Sequence, residues 1–457
     1  MNFLRVLTFI FLISIASGAP SGLLKPSQDD FYDPPSGYES KPEGAILKWR
    51  NTPAKMGATF MPLNIANSWQ ALVRTTDSHG NATAIVTTIM KPHNANSKQV
   101  ISYQSMEDSA NENCAPSYSL QFGSDANTLV LKAESYIIQI ALERGYYVVT
   151  PDYEGPNAAF TAGRIAGHAV LDSLRATIQS ANETGIAADA SYALFGYSGG
   201  SLASGWAASL QPTYAPELKS KLIGATLGGF VTNITETVTA VEGTVFAGLT
   251  PNGLWGLSQE YPFFKEYLKQ GMSEEHYKKL KTASENCLLN AILGFPFYRF
   301  FSGSDPFFKK GWDVFKEDDI KQMLDENTLL FQNNQEIPDI PLMIYHATND
   351  EIVPYHGNSD RYYDNICKWK PDISLELNID QTGGHILEIP QGVPAAFAWL
   401  ERLFRGQNIV KGCHKTTRLN NLLYPGADYS IYTALTAAIK SLVGGEIGPN
   451  GEGLPVS

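Results

Sequence analysis

The chain has 457 residues, 43% of them hydrophobic and 18% charged, which suits a folded globular protein with a large core. Its formal net charge is -12. That balance excludes nucleic acid as a partner, because phosphate binding needs clustered cations, and it excludes electrostatic docking on anionic membranes.

The first residues, MNFLRVLTFIFLISIASG, combine a positive Arg5, an apolar run and small residues at 16–18. They predict a secretory signal peptide over 1–18, cut after Gly18. The run is short for a span, which takes about 20 residues, and no later segment is apolar enough. The mature protein is therefore expected to be secreted and extracellular, with no transmembrane segment. In an oxidising compartment the four cysteines, Cys114, Cys287, Cys367 and Cys413, suggest two disulfides, with three pairings open. Sequons at Asn81, Asn182 and Asn233 are candidate glycosylation sites.

Residues 19–45 are rich in Pro, Gly, Ser and Asp and read as an irregular arm. Strand patterns come next at 82–90 and 99–105, then a helix at 135–145, and a buried strand and loop at 146–155. A helix at 166–181, a strand at 191–200, a helix at 201–211 and a strand at 221–229 continue the alternation. This order predicts an α/β fold with a mostly parallel sheet and helices on both faces. Between 230 and 335 the alternation stops, and a helical, aromatic stretch reads as an insertion. Alternation resumes at 340–354 and 373–379 and ends in a helix at 392–406. The tail from 413 carries one helix, at 430–445, and a Gly/Pro-rich end.

The segment FGYSGGS places Ser198 between Gly196 and Gly200, a G-x-S-x-G pattern with an apolar strand before it and a small-residue helix after it. A strand turning sharply into a helix strains the serine backbone and exposes its hydroxyl, and the glycines permit close approach. Such a serine needs a base, and the base an orienting acid, in the chain order Ser, Asp or Glu, His. His385, in TGGHI after a strand, is the candidate base. Asp350, closing PLMIYHATND, is the candidate acid, with Glu351 as its competitor. The oxyanion needs two backbone N–H donors. Gly199 follows the nucleophile, and Asp108 in the loop ISYQSMEDSA is the second candidate, ahead of Ser109. Together these groups point to acyl transfer.

The blocks YQSMEDSANENCAPSYSL, TPDYEGPNAAFTAG, GYSGGSLASGWAA, HATNDEIVPY and TGGHI resemble the fungal secretory lipase family, the secreted lipases of Candida yeasts and, more distantly, lipase A of Candida antarctica. The resemblance covers almost all of the mature chain. It implies an α/β-hydrolase core over 19–229 and 336–412, an inserted helical cap over 230–335, a C-terminal flap over 413–457, and triacylglycerol hydrolysis. It also implies that Asp108 helps form the oxyanion hole, and that the cysteines pair sequentially, Cys114 with Cys287 and Cys367 with Cys413. Tyr197, Phe246 and Trp255 are candidate substrate contacts; Phe246 and Trp255, with Leu249, Leu254 and Phe263, belong to the apolar insertion, whose residues read equally as the lining of an acyl pocket and as the core of a helical subdomain. The expected partner is lipid at an oil–water interface, acted on by a monomer with no cofactor and no metal. A short-chain carboxylesterase or serine peptidase would use the same triad. A binding module would have lost a triad member, and all three are present.

Overall fold

A computed structural model describes residues 22–57, 62–331, 336–407 and 409–442. The expected signal peptide and the glycine-rich end of the expected flap, from 443 on, lie outside the described residues. Ten strands form one sheet: β1 (Ile46–Asn51), β2 (Asn67–Thr76), β3 (Ala82–Lys91), β4 (Gln99–Gln104), β5 (Tyr147–Pro151), β6 (Ser191–Tyr197), β7 (Leu222–Gly228), β8 (Leu342–Ala347), β9 (Leu375–Asp380) and β10 (Cys413–Arg418). Their order is β1-β2-β3-β5-β4-β6-β7-β8-β9-β10. The first three strands and the β3–β5 pair are antiparallel, and every pairing from β5 to β10 is parallel.

The central strands are apolar almost throughout because both faces are covered, as parallel sheets require. Side chains alternate between two cores. In β6, Tyr192 and Leu194 enter one core, while Ala193, Phe195 and Tyr197 enter the other. In β8, Leu342 and Ile344 face one side, and Met343 and Tyr345 the opposite side. Helices Gly163–Gln179 and Gly199–Tyr214 cover the first face. They pack closely enough that a Cβ on Gly163 would stand 2.0 Å from Trp206 Nε1. Helices Leu129–Glu143, His385–Phe404 and Tyr429–Leu442 cover the second.

The insertion after β7 is helical as expected. It contains Ile234–Val241, Leu249–Glu260, Pro262–Gly271, Glu274–Lys281, Leu288–Gly294 and Asp318–Glu326. Both disulfides have the sequential pairing. Cys114–Cys287 joins the loop after β4 to the cap across 173 residues, worth about 5 kcal/mol in the loop-closure model. Cys367–Cys413 pins the edge strand β10 to helix Arg361–Trp369.

Three sequence expectations change. Strands β1 and β2 lie between the end of the expected arm and residue 82, so the sheet begins earlier than the strand patterns suggest. The flap does not begin at 413, because Cys413–Arg418 pairs with β9 along its whole length. Its polar sequence CHKTTR hid a strand that is covered on few sides. The helix expected at 392–406 begins at His385, despite Pro390 and Pro394. Glu351 Oε2 accepts the His385 N–H at 2.9 Å and so satisfies a free donor of the first turn. No helix among the described residues is long and apolar enough to cross a membrane.

Candidate active site

Ser198 sits between β6 and helix Gly199–Tyr214 with φ 51° and ψ −124°. Such a backbone costs about 1–3 kcal/mol in a non-glycine residue. Local hydrogen bonds outweigh that cost, at about 1 kcal/mol each. Ser198 N–H donates to Gly228 O at 2.9 Å, and Ser198 O accepts from Ser201 N at 2.9 Å, Leu202 N at 3.2 Å and the Ser201 hydroxyl at 2.5 Å. The glycines answer a close approach. A Cβ on Gly196 would lie 2.1 Å from Gly200 O, and one on Gly200 would lie 1.9 Å from Gln104 O of β4.

The three residues read from the sequence meet. His385 Nε2 is 2.8 Å from Ser198 Oγ, and His385 Nδ1 is 2.7 Å from Asp350 Oδ2. All three are buried, at 5–7% exposure, which removes competing water. Asp350 is on the turn after β8, and its Oδ1 accepts the N–H groups of Ile352 at 3.0 Å and Val353 at 2.7 Å. Burial works to raise the Asp350 carboxyl, but the His385 charge and hydrogen bonds from His346 and His385 hold it well below the usual carboxylate range. Burial likewise works to lower His385, yet Asp350, then Glu351 and Asp108, leave the imidazole raised. Glu351, the competing carboxylate, caps the histidine helix, and it is Asp350 that meets the imidazole.

Tyr197 is buried, its hydroxyl donates to His385 O at 2.5 Å, and it is absent from the cavity wall. It holds the His385 main chain and does not line the cavity next to Ser198. Sequence reasoning missed His346, which lies 3.1 Å from Asp350 Oδ2 through Nε2. A fully buried polar ring at the end of an apolar strand was the available signal, because such a ring needs partners.

Asp108 has φ 43° and its carboxyl lies against Gly199, where an added Cβ would meet Asp108 Oδ1 at 1.7 Å. The expected backbone donor is turned elsewhere. The Asp108 and Ser109 N–H groups both face the Glu154 carboxyl, the latter at 3.4 Å. Burial pushes the Asp108 carboxyl up to about 7, with His385 opposing. Burial also raises Glu154 and Glu107, helped by repulsion from Glu107 and Asp108 in the first case, and from Asp152 and Asp108 in the second. The cap holds this loop. Asn252 Nδ2 donates to Asp108 O at 3.1 Å, and Ser109 Oγ donates to Asn286 O at 3.1 Å.

A narrow apolar cavity of about 60 Å³ runs from Ser198 and Gly199 into the cap, walled by Leu202, Val238, Leu249, Leu254 and Leu257 among others. Leu249 and Leu254 are thus placed as the apolar insertion suggested. Phe246 and Trp255 are not in that wall. Trp255 turns to Tyr277, 5.9 Å between ring centroids, and lies under the Lys265 ammonium, while Phe246 packs on the core. Helical periodicity explains the miss: Leu254 and Leu257 share one face of their helix, and Trp255 is rotated away. Phe263 is 42% exposed, on the outer side of the cap.

Of the sequons, Asn81 and Asn182 are exposed. Asn233 is buried, with its Oδ1 accepting Thr235 N–H at 3.1 Å as a helix cap, so it is withdrawn as a glycan site.

The secretory lipase family matches residues 120–412. Lipase 1 of Candida albicans is 48% identical over 97% of this chain and 94% of that protein. Lipase A of Arthroderma benhamiae is 37% identical over 96% of this chain and 92% of that protein. The solved structure of Candida antarctica lipase A superposes with a TM-score of 0.81 at 29% identity, covering 94% of this chain and 99% of that one. With the α/β-hydrolase sheet and the family match over most of its length, the chain belongs to the secretory lipase family and is a carboxylic ester hydrolase.

Proposed function

We propose that the protein is secreted and hydrolyses long-chain acylglycerols at an oil–water interface through Ser198, His385 and Asp350. The observation that carries this reading is the unbroken hydrogen-bond path from Ser198 Oγ through His385 to Asp350 at the mouth of an apolar cavity. Ser198 Oγ attacks the ester carbonyl as His385 Nε2 takes its proton, and Asp350 holds the imidazole with Nδ1–H toward the carboxylate. The tetrahedral intermediate collapses, His385 protonates the departing alcohol, and an acyl-enzyme remains. Water, deprotonated by His385, then releases the fatty acid.

The oxyanion forms beside Gly199, whose N–H is at the free N-terminal end of helix Gly199–Tyr214. The second donor in this reading is the protonated carboxyl of Asp108, since its backbone N–H faces Glu154. The acid proton is present below about 7 and lost above it, so activity falls as pH rises through that range. Asp108→Asn, which keeps an N–H donor that does not titrate, is expected to remove this alkaline limb. Asp108→Ala is expected to lower kcat by about 10²-fold or more at every pH. Rate profiles of the two variants on a soluble ester check this; an alanine variant within a few-fold of wild type contradicts it.

The cavity is too narrow for a long chain unless helices Ile234–Val241 and Leu249–Glu260 move apart, as a cap over an acyl site would. Val238→Trp fills that space. It is expected to cut turnover of long-chain esters by about tenfold while short-chain esters are turned over as before. Equal loss on both would place the acyl chain elsewhere. The functional reading itself is tested by fatty acid release from a triacylglycerol emulsion. Hydrolysis of short soluble esters or peptides alone would exclude it.

A further inference from the structure

We propose that His346 is a positioning residue for ester hydrolysis, acting through Asp350 to hold the carboxylate in one orientation toward His385. This rests on the reading of Asp350 as the triad acid. His346 lies on β8, is fully buried, and takes no part in the proton transfers described above. Its Nε2 faces two groups that only accept, Asp350 Oδ2 at 3.1 Å and Val353 O at 2.9 Å. The hydrogen must therefore be on Nε2 and is shared between them. Its Nδ1 is 2.5 Å from Ser359 Oγ, which fixes the ring from behind.

The carboxylate of Asp350 is thereby fully occupied. Oδ1 accepts Ile352 and Val353 N–H, and Oδ2 accepts His385 Nδ1–H and His346 Nε2–H. A carboxylate has about four acceptor sites, so none is left to turn toward water or another donor. Two of its donors are backbone groups of its own turn, and they fix only Oδ1. Apart from the reacting imidazole, His346 is the group that fixes Oδ2. Without it, rotation of the carboxyl is opposed by the two turn N–H groups on Oδ1, while the donor left on Oδ2 is the reacting imidazole, whose charge changes during the proton transfer. A misplacement of this kind costs rate and leaves substrate binding alone.

His346 also withdraws part of the negative charge that Asp350 directs at His385. Removing its N–H concentrates that charge on His385, which then keeps its proton to higher pH. The other titratable groups facing His385 are Glu351 beside Asp350, Asp108 from the loop after β4, and Tyr197 at the end of β6. Glu388, on the histidine helix, and Tyr197 also face Asp350. None of these hydrogen bonds to Oδ2, and all remain in a His346 variant.

The experiment compares His346→Leu and His346→Gln with Asp350→Asn on a soluble p-nitrophenyl ester. Rates are expressed per active serine titrated with a phosphonate, so misfolded enzyme is not counted. His346→Leu is expected to lower kcat by about tenfold or more with KM within about twofold, and to move the acid limb of kcat/KM to higher pH. His346→Gln, whose side-chain amide still donates to Oδ2, is expected to recover most of the loss. An unshifted limb with unchanged kcat per titrated site in His346→Leu overturns the proposal, as does a glutamine variant no better than leucine. If Asp350→Asn is itself unimpaired, the triad reading falls and the His346 role with it. An impaired Asp350→Asn beside an unaffected His346→Leu overturns the His346 role alone.

Discussion

Replacing Ser198 with alanine lowers kcat for ester hydrolysis by roughly 10⁴- to 10⁶-fold, to the residual rate of a site with its oxyanion donors but no nucleophile. The size follows from how the triad works as a unit. His385 Nε2 has no hydroxyl to deprotonate once Ser198 Oγ, 2.8 Å away, is removed. Alanine keeps the elbow, because the bonds that hold it run through the Ser198 backbone and the Ser201 hydroxyl. The variant should therefore fold, with a urea midpoint close to wild type, and the loss is chemical. Measured on both an emulsion and a short soluble ester, the loss is expected to be the same on each. A variant with near wild-type rates would remove Ser198 from the mechanism.

The second large effect is structural. Gly200→Ala is expected to destabilise the protein by about 3 kcal/mol and to abolish activity in what remains folded. The new Cβ would stand 1.9 Å from Gln104 O and 2.8 Å from Gln104 C, both main-chain atoms of the central strand β4. A flexible side chain could move aside, but a strand paired on both edges, with β5 and β6, cannot. Relief comes only by lifting the elbow helix, which carries Gly199 and Ser198 out of reach of Asp108 and His385. Gly294→Ala, where an added Cβ meets nothing within 4 Å, is the matched control and should leave the urea midpoint in place. Equal midpoints for the two variants would contradict the packing argument.

These effects mark where the sequence was legible. Strand–turn–helix patterning around GYSGGS exposes the elbow because steric demand for glycine leaves a visible signature in residue type. Asp350 and His385 were legible from chain order, since each follows a strand of a parallel sheet whose carboxyl ends gather the loops. The disulfide pairing came through the family resemblance, as spacing left three pairings open. Orientation was less legible than position. Asp108 was found, but the direction of its N–H depends on Glu154, a residue 46 positions later that the loop sequence does not mention. Trp255 was a candidate substrate contact as part of the apolar insertion, while the cavity is walled by its neighbours Leu254 and Leu257. His346 carries no motif, and only the fold brings it to the far side of Asp350. The edge strands β1 and β10 and the neighbouring β2 were missed for different reasons. β1 and β10 are only partly covered and carry polar residues, and β2 mixes Gln70, Arg74 and Thr75 into a buried strand. Their polar atoms find partners that no local pattern reveals: Gln70 Nε2 donates to Ser117 O at 2.7 Å, and Thr75 to Asp172 at 2.6 Å.

The most direct measurement is covalent. The protein is inactivated with a p-nitrophenyl alkylphosphonate, the released nitrophenol is counted, and the labelled peptide is located by mass spectrometry. One equivalent released per enzyme, with the phosphonyl group on Ser198 and ester hydrolysis lost in proportion, is the predicted result. Full inactivation with the label on any other residue, or a labelled Ser198 in an enzyme that still hydrolyses esters, would contradict it.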